Sequence, residues 1–166
     1  MKVYKKTLEV TADEIRRPHF YKITDEVKQA VAESGVQEGI CVVYSHHTTC
    51  SVYLQECSFD YTYNGHEYLQ QDMLDVLERL VPTCRKEGQY MHPGPGVTEV
   101  ANSIGEDKPL CLNTDAHLRS PLLGRSETMV VEDGQLDLGR FGHVYFIDFD
   151  QTRSRTRQIK IKVLGV

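Results

Sequence analysis

The sequence predicts an α+β fold, with mostly antiparallel sheet and two main helices. Strand patterns outnumber helical ones, the last third of the chain reads as consecutive strands, and an Asp133-Gly134 pair sits between two of them. A chain of 166 residues, 40% hydrophobic and 26% charged, is long enough to bury a core and is read as one domain over residues 1–166.

Residues 3–10 alternate and read as the first strand. Thr24 is placed as the N-cap of a first helix, since Asp25 and Glu26 would complement its dipole. Val27, Ala30 and Val31 supply the apolar stripe of that helix, and Gly35 its stop. Gly39–Ser45 is a β-branched apolar run expected as a buried strand, and residues 50–54 follow as another. Leu69, Met73, Val76, Leu77, Leu80 and Val81 recur at three- and four-residue spacing, so a second helix is expected over about 66–81, ended by Pro82.

Residues 88–97, with Gly94-Pro95-Gly96, read as loop. Asn113 or Thr114 caps a short helical turn over 115–119, limited by Pro121. Strands 127–132 and 135–138 flank the Asp133-Gly134 turn, and residues 144–149 form a strand buried on both faces. Ile159, Ile161 and Val163 alternate with Gln158, Lys160 and Lys162 in a half-exposed last strand.

The net charge of -5 gives no global pull toward nucleic acid or an anionic membrane, and neither partner is expected. No long apolar run marks a leader or a membrane span. Cys41, Cys50, Cys57, Cys84 and Cys111 are odd in number and form no C-x-x-C pair. That pattern fits inert thiols in a reducing cytoplasm.

The chemistry-bearing residues are histidines beside carboxylates. His47 follows a buried strand, next to His46, and Glu56 lies nine residues on. His92 adjoins a Gly/Pro-rich loop and His117 lies on the short helical turn. Each alone reads as an ordinary surface or core histidine; together, three imidazoles with carboxylates are the material of a metal site or an acid/base site. Asp148, inside an apolar run, needs a partner, either a metal or the cation of a structural salt bridge. Asp72 lies off the apolar stripe and reads as solvated. Arg153, Arg155 and Arg157 are two apart, so on an extended strand all three would share a face. That face suits either a bidentate anion site or a charged guard on an edge strand.

The run His47-Thr48-Thr49-Cys50-Ser51 to Glu56, then Tyr90-x-His92, then Ala116-His117-Leu118-Arg119-Ser120-Pro121-Leu122-Leu123-Gly124, resembles the YjbQ family. The stretch from Asp133 to Gly139, the acidic Asp148 and the arginine-rich exit extend the resemblance across nearly the whole chain. The resemblance implies a homotrimer with clefts between subunits and a secondary thiamine-phosphate synthase activity, a transferase reaction that releases pyrophosphate. It places the family's histidines on His47, His92 and His117, its acidic positions on Glu56 and Asp148, and its arginines on Arg153 and Arg155. Where the family often has aspartate this chain has Asn113, and where it has Gly-Thr-Trp-Gln this chain has Gly139-Arg140-Phe141-Gly142. Residues 57–65 and 94–109 also depart from the family pattern.

On these grounds the expected function is a small enzyme acting on an anionic or phosphorylated small molecule. His47, His117, Glu56 and Asp148 are its catalytic candidates, and Arg153, Arg155, Thr48 and Asn113 its anion-binding ones. His47, His92 and His117 are the metal candidates, and imidazoles favour zinc, whereas pyrophosphate chemistry uses magnesium with oxygen ligands. The alternative is a non-catalytic metabolite- or metal-binding protein that uses the same cleft.

Overall fold

A computed structural model describes residues 1–11, 18–107 and 111–166. The elements run β1 (Lys2–Thr11), β2 (His19–Lys22), α1 (Thr24–Ser34), β3 (Gly39–Ser45), β4 (Cys50–Glu56), α2 (Tyr68–Leu80), α3 (Pro95–Ser103), α4 (Thr114–Leu123), β5 (Ser126–Glu132), β6 (Gln135–Leu136), β7 (Gly142–Asp148) and β8 (Thr156–Gly165). All strand pairings are antiparallel, as the α+β reading requires. One sheet has the order β1-β8-β3-β5-β6 and the other β2-β7-β4.

The three-stranded sheet lies between two apolar cores, which is why β7 is buried on both faces. Val144 and Phe146 face the five-stranded sheet, where they meet Val43, Ile159 and Ile161 together with Val27 and Val31 of α1. Tyr145, Ile147 and Phe149 face the other way, against Leu74 and Leu77 of α2 and Ala116 of α4. At the hairpin, Asp133 and Gly134 both have positive φ, the geometry of a two-residue turn that follows the strand twist.

Several elements differ from the sequence expectation. Thr24 is the first helical residue rather than the cap; its hydroxyl accepts the Val144 N–H at 3.0 Å and so joins α1 to β7. The α2 stripe is rotated: Leu74, Leu77 and Val81 are buried, while Val76 and Leu80 face outward beside the solvated Asp72. Glu67 caps α2 through a reciprocal bond with Gln70 and is itself buried, accepting from Ser58 N–H and the Tyr145 hydroxyl at 2.7 and 2.9 Å.

Residues 95–97, expected as loop, open α3, with Pro95 at its first position where a missing N–H costs nothing. The departing segment 94–109 holds α3 as far as it is described; residues 108 and 109 lie outside the described residues. The helical turn expected at 115–119 extends to Leu123, with Pro121 inside it. The short strand β2 carries no alternation signal of its own and forms by pairing with β7.

The rotated α2 face makes a direct comparison available. Leu77→Ala is expected to lower unfolding free energy by about 2–5 kcal/mol, and Leu80→Ala by under about 0.5 kcal/mol, in urea melts. Equal losses would place both side chains in the core.

Candidate functional site

The β3–β4 turn, the first turns of α4 and the β7–β8 loop meet at one end of the two sheets. They enclose a cavity of about 260 Å³. Three imidazoles (His46, His47, His117) and three guanidiniums (Arg153, Arg155, Arg157) line it. Asp150, Thr48, Thr49 and Asn113 complete the wall.

Arg157 is the anchor. It is an inward-facing residue of β8, in the same alternation as Ile159 and Ile161, and is 4% exposed. Its Nε donates to Asp148 Oδ2 at 2.5 Å, and its Nη2 to Asp148 Oδ1 and Thr49 Oγ1, both at 3.2 Å. Asp150 lies 3.6 Å from the same guanidinium. The partner that Asp148 required is therefore a cation of the fold itself. Asp150 in turn accepts from Asn113 Nδ2 at 3.3 Å and from both the N–H and the hydroxyl of Thr152, which fixes the start of the arginine loop.

His47 sits where the β3–β8 ladder ends. The last ladder pair is Ser45 with Ile159, and the next N–H, of Gln158, donates to His47 Nε2 at 2.9 Å. A backbone N–H can only donate, so this ring nitrogen carries no proton and the neutral ring is held as the Nδ1–H tautomer. Burial lowers the His47 pKa, and the charges of His46, Arg157 and Lys160 lower it further, against Asp148.

His117 is positioned by α4. Ser120 Oγ donates to the Cys50 carbonyl at 2.6 Å and Ser51 Oγ to the Ser120 carbonyl at 3.0 Å, pinning the helix to β4. Buried Arg119 ties the same helix to the Val81 carbonyl at the end of α2. Burial lowers the His117 pKa; His92 and Arg157 act with it, while Asp150 and a backbone bond with Thr48 oppose it. His47 and His117 are thus both biased toward the neutral, basic form.

The structure brings together His47, His117, Thr48, Asn113, Arg153 and Arg155 of the expected residues. His92 does not line the cavity but packs edge-to-face on His117 with ring centroids 5.4 Å apart, and its carbonyl accepts the Thr114 hydroxyl. Glu56 is not brought to the cavity by its own chain: it lies exposed at the far end of β4, six residues and about 20 Å from Cys50. The three arginines do converge, but not on a shared strand face. Only Arg157 belongs to β8, while Arg153 and Arg155 stand on the preceding loop. Both of these donate to Glu106 Oε1, at 2.8 and 3.1 Å. Such half-exposed pairs are worth about 0–1 kcal/mol.

Among the described residues no group of three or more His, Cys, Asp or Glu side chains is arranged around a common point, and Nε2 of His47 is committed to Gln158. All five thiols are buried and free, and burial raises the Cys41 pKa to about 11 and raises that of Cys50 as well. Among the described residues no helix is long and apolar enough to cross a membrane.

Asp150, Thr49 and Glu106 escaped the sequence reading. Asp150 had a signal, since Asp148 and Asp150 alternate as a pair of like position; Glu106 had none, because only the fold brings the turn after α3 to the arginine loop.

Fold and cavity together define a small α+β protein with a histidine- and arginine-lined pocket at the shared end of two antiparallel sheets. The chain belongs to the UPF0047 YjbQ-like family, whose model matches residues 6–166. It is similar to a UPF0047 protein of Archaeoglobus fulgidus, 32% identical over 157 residues, covering 95% of this chain and 100% of the relative. A solved YjbQ/UPF0047-family protein of Clostridium acetobutylicum superposes with a TM-score of 0.67 at 29% identity, covering 95% of this chain and 99% of that one. A YjbQ-like protein of Sulfolobus solfataricus P2 shares the fold, with a TM-score of 0.70 at 22% identity and 99% of each chain covered.

The depressed imidazoles set a sign for the pH dependence. Below about pH 6.5 the unfolded chain takes up protons that the folded rings resist, so stability falls as pH falls through that value toward the folded pKa values. His117→Gln is expected to make this fall shallower in urea melts between about pH 7 and about pH 5. An unchanged slope would mean that the ring is not held neutral by the fold.

Proposed function

We propose that the cavity binds the anionic, typically phosphorylated, end of a small molecule and that His117 moves a proton beside it. The observation that carries this reading is the convergence of three guanidiniums and two neutral-biased imidazoles on one small cavity. Guanidinium forks recognise phosphoryl oxygens bidentately, and an imidazole that is neutral near pH 7 is suited to act as a general base. His117 fits the proton-transfer role better than His47, whose Nε2 is already used to terminate a ladder. Asp150, whose charge opposes the lowering of the His117 pKa, would support the protonated ring as it forms.

The secondary thiamine-phosphate synthase activity implied by the resemblance belongs to the same reading. In that reaction the thiazole nitrogen forms a bond to the pyrimidine methylene as the carbon–oxygen bond to pyrophosphate breaks. The leaving pyrophosphate takes the electron pair, and arginines are the groups here that would stabilise its charge.

Trimeric assembly is part of the proposal as well. Ile40, Tyr44 and Val130 stand exposed on the outward face of the five-stranded sheet, an apolar surface of the kind that subunits cover. Sedimentation at about three times the 19.0 kDa chain mass is expected, and a monomer would contradict it.

A panel of phosphorylated metabolites, followed by thermal shift and product analysis, tests the catalytic part. With a compound that is turned over, His117→Gln is expected to cut kcat by about 10²–10⁴ while leaving binding almost unchanged. Tight binding of a compound with no turnover by the wild-type protein would instead favour a metabolite-binding role for the same cavity.

A further inference from the structure

The arginine end of the cavity is electrically balanced as it stands. Arg153, Arg155 and Arg157 carry three positive charges, and Asp148, Asp150 and Glu106 three negative ones. Asp148 and Asp150 are each 2% exposed at the side chain and belong to the buried frame around Arg157. Glu106 is different. Its side chain is 29% exposed, it follows α3 on a turn, and it reaches the arginines through Oε1.

We infer that Glu106 is an internal competitor for the anion subsite formed by Arg153 and Arg155, setting an affinity threshold that phosphoryl dianions pass and simple carboxylates do not. This rests on the anion-binding reading above. Arg153 Nη1 and Arg155 Nη2 both donate to the one oxygen, Oε1 of Glu106, so a carboxylate oxygen already sits in the fork that an incoming oxyanion would use. A carboxylate ligand exchanges like for like with it, with the same charge and the same kind of hydrogen bond, and gains little. A phosphoryl dianion brings more charge and a third oxygen. Arg153 Nε is buried without an acceptor among the described residues, so the Arg153 guanidinium holds a donor that Glu106 leaves unused.

Glu106 is also built to let go. Its backbone N–H donates to the Ala101 carbonyl at 2.9 Å, so the turn stays anchored to α3 while the side chain leaves for water. Released, the arginine cluster carries three positive charges against the two of Asp148 and Asp150, a net positive charge with two guanidiniums free of partners from this set. A group inside the chain that occupies the subsite lowers the apparent affinity of every ligand by the fraction of time the subsite is open.

Isothermal titration of the full chain with inorganic phosphate and, separately, with acetate tests the inference. Glu106→Gln and Glu106→Ala are both expected to bind phosphate about tenfold more tightly than wild type, as for a subsite open about one-tenth of the time, and to make acetate binding measurable. The Arg153→Gln/Arg155→Gln double variant is expected to lose phosphate binding. If that double variant loses phosphate but both Glu106 variants bind it no better than wild type, the competitor role is overturned and the anion site stands. If no protein in the set binds phosphate, the anion-binding reading falls and this inference with it.

Discussion

The ion pair between Arg157 and Asp148 is the interaction on which the rest of the site depends. β8 and β7 belong to different sheets, and both residues face the core between them, beyond the last aliphatic layer. Removing either charge from water is costly, and removing one partner alone leaves the other buried and unpaired. The fold answers with bonds to both oxygens of Asp148, a further bond to Thr49, and the Asp150 carboxylate close by. The Phe149 N–H also donates to the Thr49 carbonyl, so the end of β7, the start of β4 and the first turn of β8 are fixed together. A cavity built on this corner inherits its rigidity.

Around that corner the polar groups each serve the fold and the cavity at once. His47 ends a β-ladder with its ring and by doing so presents a neutral imidazole to the cavity. Asn113 precedes α4 and holds Asp150, while the serine exchange between Ser51 and Ser120 sets the depth of His117. The more exposed charge lies outside this frame, on the loop carrying Arg153 and Arg155 and on the turn carrying Glu106. The result is a buried, ion-paired floor beside a rim whose ion pairs are weak enough to exchange.

The strand architecture was legible because β7 and β8 state their environment in residue periodicity: an unbroken apolar run for a strand covered on both faces, and strict alternation for one covered on a single face. The α2 stripe misled because exposed Leu80 and Val76 carry the same period as buried Leu77, and only packing against Tyr145 and Ile147 selects the face. Pro95 and Gly96 looked like loop, yet proline is well suited to a first helical turn. At the site, the histidine run after β3 was legible as motif and place, and the need of Asp148 for a partner was legible as an energetic demand. The choice of Arg157 as that partner, the exclusion of Glu56 and the arrival of Glu106 come from long-range contacts that no local pattern records.

The most direct measurement is a double-mutant cycle on unfolding free energy with Asp148→Asn, Arg157→Met and the two combined. A coupling of about 2–3 kcal/mol is expected, with each single change more destabilising than its share of the pair. A coupling below about 0.5 kcal/mol would mean that the two residues act independently, and the corner on which the cavity is built would have to be held by something else.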